Sequence, residues 1–389
     1  MSPVLPEVEG ETANHDSNRV DTAAAASTTV DGGVSSNLST EMREAESKGE
    51  RIVAAGSTAR VLLPATQTED TDEDDEEDRE EQEENNDFLV DFPDDTPELE
   101  LLHSRIKSLA NLHLPRFAAY LKKLCLRQNL ISYLDPDIFH QLTLLEELDL
   151  YDNKIRHIDA SLDRLQDLKV LDLSFNLLRG VPDGLEHLRS LETIYFVQNK
   201  ISKITGLNHS TTLRSLELGG NRIRKIEGLE ALVNLEELWL GKNKITKLEG
   251  LGNLKKLKVL SIQSNRITKL ENLEALSALD QFYISHNGIE RLEGLDHNNK
   301  LTTLDVGSNF ISTVENIAHL TNLEELWMSG NKVPDLRSVE AQLRHLQSLQ
   351  TLYLEGNPCQ TSDAVGYRRK VILALPQLTQ LDATYVRGP

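Results

Sequence analysis

Asp149 and Asp172 occupy the same place in two successive phrases, Leu148-Asp149-Leu150 and Leu171-Asp172-Leu173. If those phrases are neighbouring strands, the two carboxylates stand side by side and could work as an acid/base pair. Such a pair needs a pocket that excludes water, and an open sheet supplies none. The two aspartates therefore read as part of a solvated recognition face. The eleven histidines are scattered, with no close pair at ligand spacing, which argues against a metal site. Gly241-Lys242-Asn243-Lys244 lacks the G-x-x-x-x-G-K-[ST] frame of a phosphate loop, and G-x-S-x-G, H-E-x-x-H and paired C-x-x-C are absent. The expectation is a chain that is not an enzyme and needs no cofactor.

Charge divides the chain unequally. Residues 1–97 hold 27 acidic and 6 basic side chains, and the remainder holds 36 and 35. A near-neutral body with an acidic arm is a poor nucleic-acid binder, because phosphate neutralisation needs a basic surface. No apolar run reaches membrane-spanning length, and Met1-Ser2-Pro3-Val4-Leu5-Pro6-Glu7 does not resemble a secretory signal. Cys125 and Cys359 cannot make a disulfide framework, so a reducing compartment, nucleus or cytoplasm, is expected. Residues 69–95 contain 17 acidic positions and one basic residue, Arg79. Such composition cannot bury enough apolar surface to offset its ordering entropy, and 1–97 is read as a disordered acidic region.

From residue 98 onward one phrase recurs, L-x-L-x-x-N-x-[IL]. Its Asn falls at 129, 153, 176, 199, 221, 243, 265, 287, 309, 331 and 357. The steps are 24, 23 and 23, then six of 22, then 26. Eleven copies in register identify the leucine-rich repeat. One unit alone buries too few side chains to offset the cost of fixing its backbone, so units must stack. The expected fold class is α/β: a leucine-rich-repeat solenoid of about 12 repeats over 98–389, with a parallel concave sheet and short helical or 3-10 convex segments. Asn272-Leu273-Glu274-Ala275-Leu276 exemplifies such a segment. The repeated Asn should turn the chain out of the strand and bond loop backbone groups. The C-terminal cap is expected over about 358–389. It would contain a helix over 367–376 stopped by Pro376, with Arg368, Arg369 and Lys370 on a solvated face, and a last strand over 378–382. The N-terminal cap must come from about 93–120.

The middle residue of each L-x-L lies at the centre of the concave face. In order these are Cys125, Asp149, Asp172, Tyr195, Glu217, Trp239, Ser261, Tyr283, Asp305, Trp327 and Tyr353. Five of the eleven are aromatic where the chain-wide frequency of 5% predicts about half of one. Strand positions favour aromatics, which accounts for the tyrosines. It accounts less well for Trp239 and Trp327, the only two tryptophans, because large aromatics facing solvent are typical interface anchors. Glu147, Glu237, Glu325 and Glu355 flank the column, with Lys123 and Arg127 only at its N-terminal end. The complement of an acidic face studded with aromatics is a folded protein with basic patches.

Several strings are more specific than the generic repeat. Examples are Leu240-Gly241-Lys242-Asn243-Lys244-Ile245-Thr246-Lys247-Leu248, Ser285-His286-Asn287-Gly288-Ile289-Glu290, and the cap from Tyr367-Arg368-Arg369-Lys370-Val371 to Tyr385-Val386-Arg387. With them, residues 98–389 resemble the leucine-rich-repeat regulatory subunits of protein phosphatase 1, the regulatory subunit 7 family. The resemblance implies a non-catalytic subunit whose concave face binds the phosphatase catalytic subunit and controls its activity, maturation or location. A small phosphatase inhibitor subunit is a further partner it suggests. It places the contacts at Asp172, Tyr195, Glu217, Trp239, Asp305, Glu325, Trp327 and Tyr353. At Tyr195 and Trp239 the family choice is phenylalanine, so aromatic bulk is kept with a different edge. The alternative reading is a scaffold in a ribonucleoprotein or ciliary assembly, where related repeats also occur.

Overall fold

A computed structural model describes residues 89–386 and the backbone of Thr58–Val61. The remainder of the acidic region read as disordered lies outside the described residues. Fifteen strands form one sheet in strict chain order. The first, β1 (Thr58–Val61), pairs in parallel with β2 (Glu98–Leu101). Eleven rungs follow, one per phrase: β3 (Lys123–Cys125), β4 (Glu147–Asp149), β5 (Val170–Asp172), β6 (Thr193–Tyr195), β7 (Ser215–Glu217), β8 (Glu237–Trp239), β9 (Val259–Ser261), β10 (Gln281–Tyr283), β11 (Thr303–Asp305), β12 (Glu325–Trp327) and β13 (Thr351–Tyr353). All are parallel to their neighbours, and β14 (Gln380–Leu381) continues them before an antiparallel end, β15 (Thr384–Tyr385).

Why these segments stack follows from two columns. The apolar side chains flanking each middle residue, mostly leucines, are sealed at or near zero exposure in one apolar core that runs from Leu89 to Leu381. The Asn column supplies the turn, as expected. Asn243 Nδ2 donates to Leu218 O at 2.9 Å, Leu240 O at 3.1 Å and Gly241 O at 3.2 Å, and its Oδ1 accepts from Ile223 N–H at 3.0 Å. The same pattern stitches Asn153, Asn199 and Asn331 to the repeats before them. The residue preceding each Asn takes a left-handed conformation, for example Lys242 at φ 54° and Gly220 at φ 69°. The glycine there is free of the Cβ clash that a lysine must tolerate.

Repeat length decides what the convex side can hold. The 24-residue step carries helix α1 (Pro136–Phe139), and the 26-residue step carries α2 (Arg337–Leu343). One 23-residue step carries a 3-10 turn, Leu185–His187. The 22-residue steps hold no helix, and the segment expected at 272–276 is a bend and a turn. A helical turn spends residues at 1.5 Å of rise each, and the shortest repeats need theirs to cross the core thickness.

Both caps differ in detail from expectation. The ordered body starts earlier than 98: Leu89 is fully buried, and Arg116 Nη2 donates to the carbonyls of Leu89 (2.9 Å) and Phe92. At the other end, α3 (Pro358–Thr361) and α4 (Tyr367–Ala374) close the core. Arg368 is not part of a solvated face. Its guanidinium donates to Leu381 O at 3.1 Å, Thr384 O at 3.2 Å and Tyr385 O at 2.9 Å, pinning the last hairpin.

Candidate functional site: the concave face

Parallel pairing puts the whole central column in register. Asp149 faces Asp172, Asp172 faces Tyr195, Tyr195 faces Glu217, and Glu217 faces Trp239. Further along, Tyr283 faces Asp305, Asp305 faces Trp327, and Trp327 faces Tyr353. The expected contact residues therefore fall into two groups, on β5–β8 and on β11–β13, separated by Ser261 and Tyr283.

The β5–β8 group is an uncompensated acidic cluster. Among the described residues no basic side chain pairs with Asp172, Glu217 or Glu237. Burial, then Asp172, then Glu237 push the Glu217 carboxyl above the usual carboxylate range. The Tyr195 phenol is likewise held up by burial and by Glu217, Asp172 and Glu237. Asp149 is raised by burial and also feels Asp172, while its own Tyr151 N–H at 3.0 Å and Arg127 at 3.5 Å oppose the shift. Like charges held one or two rungs apart repel, and an added cation relieves that cost. Trp239 is half-buried here, and its indole N–H has no acceptor among the described residues.

The β11–β13 group is built differently. Ring centroids of Tyr283 and Trp327 lie 6.1 Å apart, although a rung separates them, and Trp327 and Tyr353 lie 5.9 Å apart, both pairs edge-on. Rings two rungs apart sit that close only by leaning toward each other over the intervening residue, Asp305. Asp305 is accordingly 5% exposed, not the open carboxylate that its column position suggests. Its Oδ1 accepts from Gly307 N–H at 3.0 Å, and its Oδ2 faces Gln263 Nε2 at 3.3 Å. Glu325 Oε2 accepts from Trp327 Nε1 at 3.0 Å and fixes the indole, while the Tyr353 hydroxyl accepts from Gln380 Nε2 at 2.7 Å. Beside this ladder lies a depression of about 340 Å³ walled by Ser285, His286, Gly307, Ser308 and Ser329. Tyr283 completes the ladder but is missing from the contacts placed by resemblance, and its membership of the same column was the signal for it.

The N-terminal end of the face is self-neutralised. Lys123 Nζ lies 3.1 Å from Glu147, and Arg127 stacks on Tyr151 with its guanidinium carbon 4.2 Å from the ring centroid. Cys125 is half-buried there, and burial pushes its thiol up to about 12. The acid/base idea for Asp149 and Asp172 finds no enclosed pocket. Each carboxylate accepts a backbone N–H of its own strand exit, Tyr151 at 3.0 Å and Ser174 at 2.8 Å. Among the described residues no three His, Cys, Asp or Glu side chains converge to hold a metal ion.

Comparison with known proteins agrees with the repeat fold. Profiles described as leucine-rich repeats match residues 119–178, 211–253 and 265–388. A protein phosphatase 1 regulatory subunit, SDS22 of Saccharomyces cerevisiae, is 47% identical over 104 residues, 27% of this chain and 28% of that protein. An Arabidopsis thaliana protein named as a phosphatase 1 regulatory inhibitor subunit, a PPP1R7 homolog, is 38% identical over 144 residues, 36% of this chain and 42% of its own length. The matched stretches thus span less than half of these relatives. Among solved structures, an internalin of Listeria monocytogenes shares the fold at 24% identity, with a TM-score of 0.58 over 74% of this chain and 86% of that one. Both of these relatives are named as regulatory subunits. The chain belongs to the leucine-rich-repeat family, and parts of it are similar to the SDS22 and regulatory subunit 7 proteins.

Proposed function

We propose that this chain is a non-catalytic regulatory subunit that binds the catalytic subunit of protein phosphatase 1 through its concave face. The relatives' names supply the partner. The observation that carries the site is the pairing of an uncompensated acidic cluster on β5–β8 with the buttressed aromatic ladder on β10–β13. A basic partner surface relieves the first, and an apolar relief fills the second. On this reading Asp172 and Glu217 meet cationic groups, and Tyr195, Trp239, Trp327 and Tyr353 supply area. Glu325 holds Trp327 in place. Asp305 acts from beneath the rings as a buried charge that favours a cation above them. Bound in this way, the chain controls the enzyme's activity, maturation or location, in nucleus and cytoplasm, and a small phosphatase inhibitor subunit is a third member of the assembly.

The test is calorimetric titration of the full chain into purified catalytic subunit, both metal-loaded and metal-depleted. Micromolar or tighter binding to either form supports the reading. Well-folded protein that binds neither form would leave a repeat scaffold for another assembly, such as a ribonucleoprotein or a cilium.

A further inference from the structure

The near-neutral body is not neutral on every side. Along the descending edge, charges alternate from rung to rung and cancel: Lys122 and Lys169 flank Glu146 at 2.9 and 2.6 Å, and Arg214 and Lys258 flank Glu236 at 2.7 and 2.5 Å. Along the opposite edge, where the chain leaves each strand past its Asn, they do not cancel. Lys200, Arg222, Lys244 and Arg266 each follow the column Asn, and each backbone N–H is bonded to the repeat before it at 2.8 Å, so the four stand on consecutive rungs. Lys242 and Arg224 lie beside them, and no acidic side chain occupies the adjoining positions at 198, 202, 220, 246, 264 or 268. None of the six makes an ion pair among the described residues. The next basic row outward differs, because Lys203, Lys225, Lys247 and Lys269 reach Glu227, Glu271 and Glu293 at 3.7–4.0 Å. The ridge is therefore a band of six positive charges over four rungs, about 14 Å long, that the fold leaves unanswered.

We propose that this ridge is the docking surface for the chain's own acidic segment, residues 69–87. That segment carries 14 acidic side chains against one Arg. It ends two residues before Leu89, which is buried in the N-terminal cap. From β2, the strand next to that cap, the ridge begins four strand spacings away and ends seven away, about 20–35 Å. The connection from Val61 to Leu89 is held at both ends, and its 27 intervening residues, 62–88, extend to about 90 Å, enough to reach the ridge and return. The concave face repels it, and the cations that flank Glu146 and Glu236 on the descending edge are already paired. At the ridge, tethering raises its effective concentration to the millimolar range, enough to populate a purely electrostatic contact. The proposal is independent of which partner the concave face takes.

Zero-length carbodiimide crosslinking of the full chain tests it, because the reagent joins a lysine amine to a carboxylate it touches, with loss of water. Peptide mapping should find 69–87 linked to Lys200, Lys242 and Lys244 within single chains, about tenfold more often than to the exposed Lys255 and Lys300. The excess should vanish near 1 M salt, where the Debye length is about 3 Å. It should also vanish in Arg222→Glu/Arg266→Glu, which keeps every reporter lysine, alters only exposed side chains and is checked for an unchanged circular dichroism spectrum. Links spread evenly over all exposed lysines would overturn the proposal, as would links found only in covalent dimers. So would absent links together with shielding of Lys242 and Lys244 by an added single-stranded oligonucleotide, which would assign the ridge to a nucleic acid.

Discussion

Replacing Asn243 by Ala isolates what the Asn column does. Three carbonyls lose a donor, those of Leu218, Leu240 and Gly241, but each keeps another. Leu218 O still accepts from Asn221 Nδ2 (3.0 Å), Leu240 O from Asn265 Nδ2 (3.0 Å), and Gly241 O from Gly220 N–H (2.9 Å). The Ile223 N–H has no acceptor besides Asn243 Oδ1 and sits where its side chain is fully buried. An orphaned buried donor costs about 1–3 kcal/mol, and the three weakened bonds add about 0.5 kcal/mol or more each. The expected loss is roughly 3–4 kcal/mol, with the Ile223 amide as the largest share. Asn243→Asp makes a sharper comparison. It keeps the acceptor for Ile223 but turns a carboxylate oxygen toward three carbonyl oxygens about 3 Å away, so at neutral pH it should cost more than Ala. Urea titration followed by Trp239 fluorescence, with amide exchange at Ile223, measures both. An Ala variant within about 0.5 kcal/mol of the parent, or an Asp variant milder than Ala, would refute the stitching argument.

Three further outcomes are expected. Trp327→Ala should weaken partner binding by about 2 kcal/mol or more and expose Asp305, seen as increased carbodiimide labelling of that carboxylate; unaltered labelling would mean the rings do not roof it. Glu217→Gln should raise the unfolding midpoint at neutral pH, because the folded-state carboxyl is raised above its unfolded value and its charge is then a cost. Wild type gains the same relief as pH falls through that raised value, so the difference should close in acid; a gap that persists would show that burial and Asp172 do not act on Glu217. Cys125 and Cys359, whose thiols burial pushes up to about 12 and about 11, should alkylate far more slowly at neutral pH than a free thiol, and equal rates would contradict the placement.

The period made much of this architecture legible. Rung positions, the Asn bonds and the concave column all follow from one phrase repeated at steps of 22 to 26 residues. Convex detail was less legible, because helix against turn at 272–276 depends on how many residues are left after the core is crossed. The cap at Leu89 was hidden by its acidic neighbours, since one buried Leu makes no periodic signal. The aromatic and acidic members of the column could be read, but not their tilt. Asp305 looks like Asp172 in sequence, and only the lean of Tyr283 and Trp327 separates a roofed carboxylate from an open one. The basic ridge escaped notice because net charge averages over faces, and only stacking shows which cations lack a partner.

The most direct measurement is the dissociation constant of the phosphatase catalytic subunit for three full-length proteins: wild type, Glu325→Ala/Trp327→Ala on the concave face, and Arg291→Ala/Glu315→Ala, an exposed pair 3.0 Å apart outside that face. The account predicts that the concave double variant weakens binding at least about thirtyfold while the outer pair leaves it unchanged. Equal effects of the two, or binding that survives loss of Trp327, would contradict a concave site.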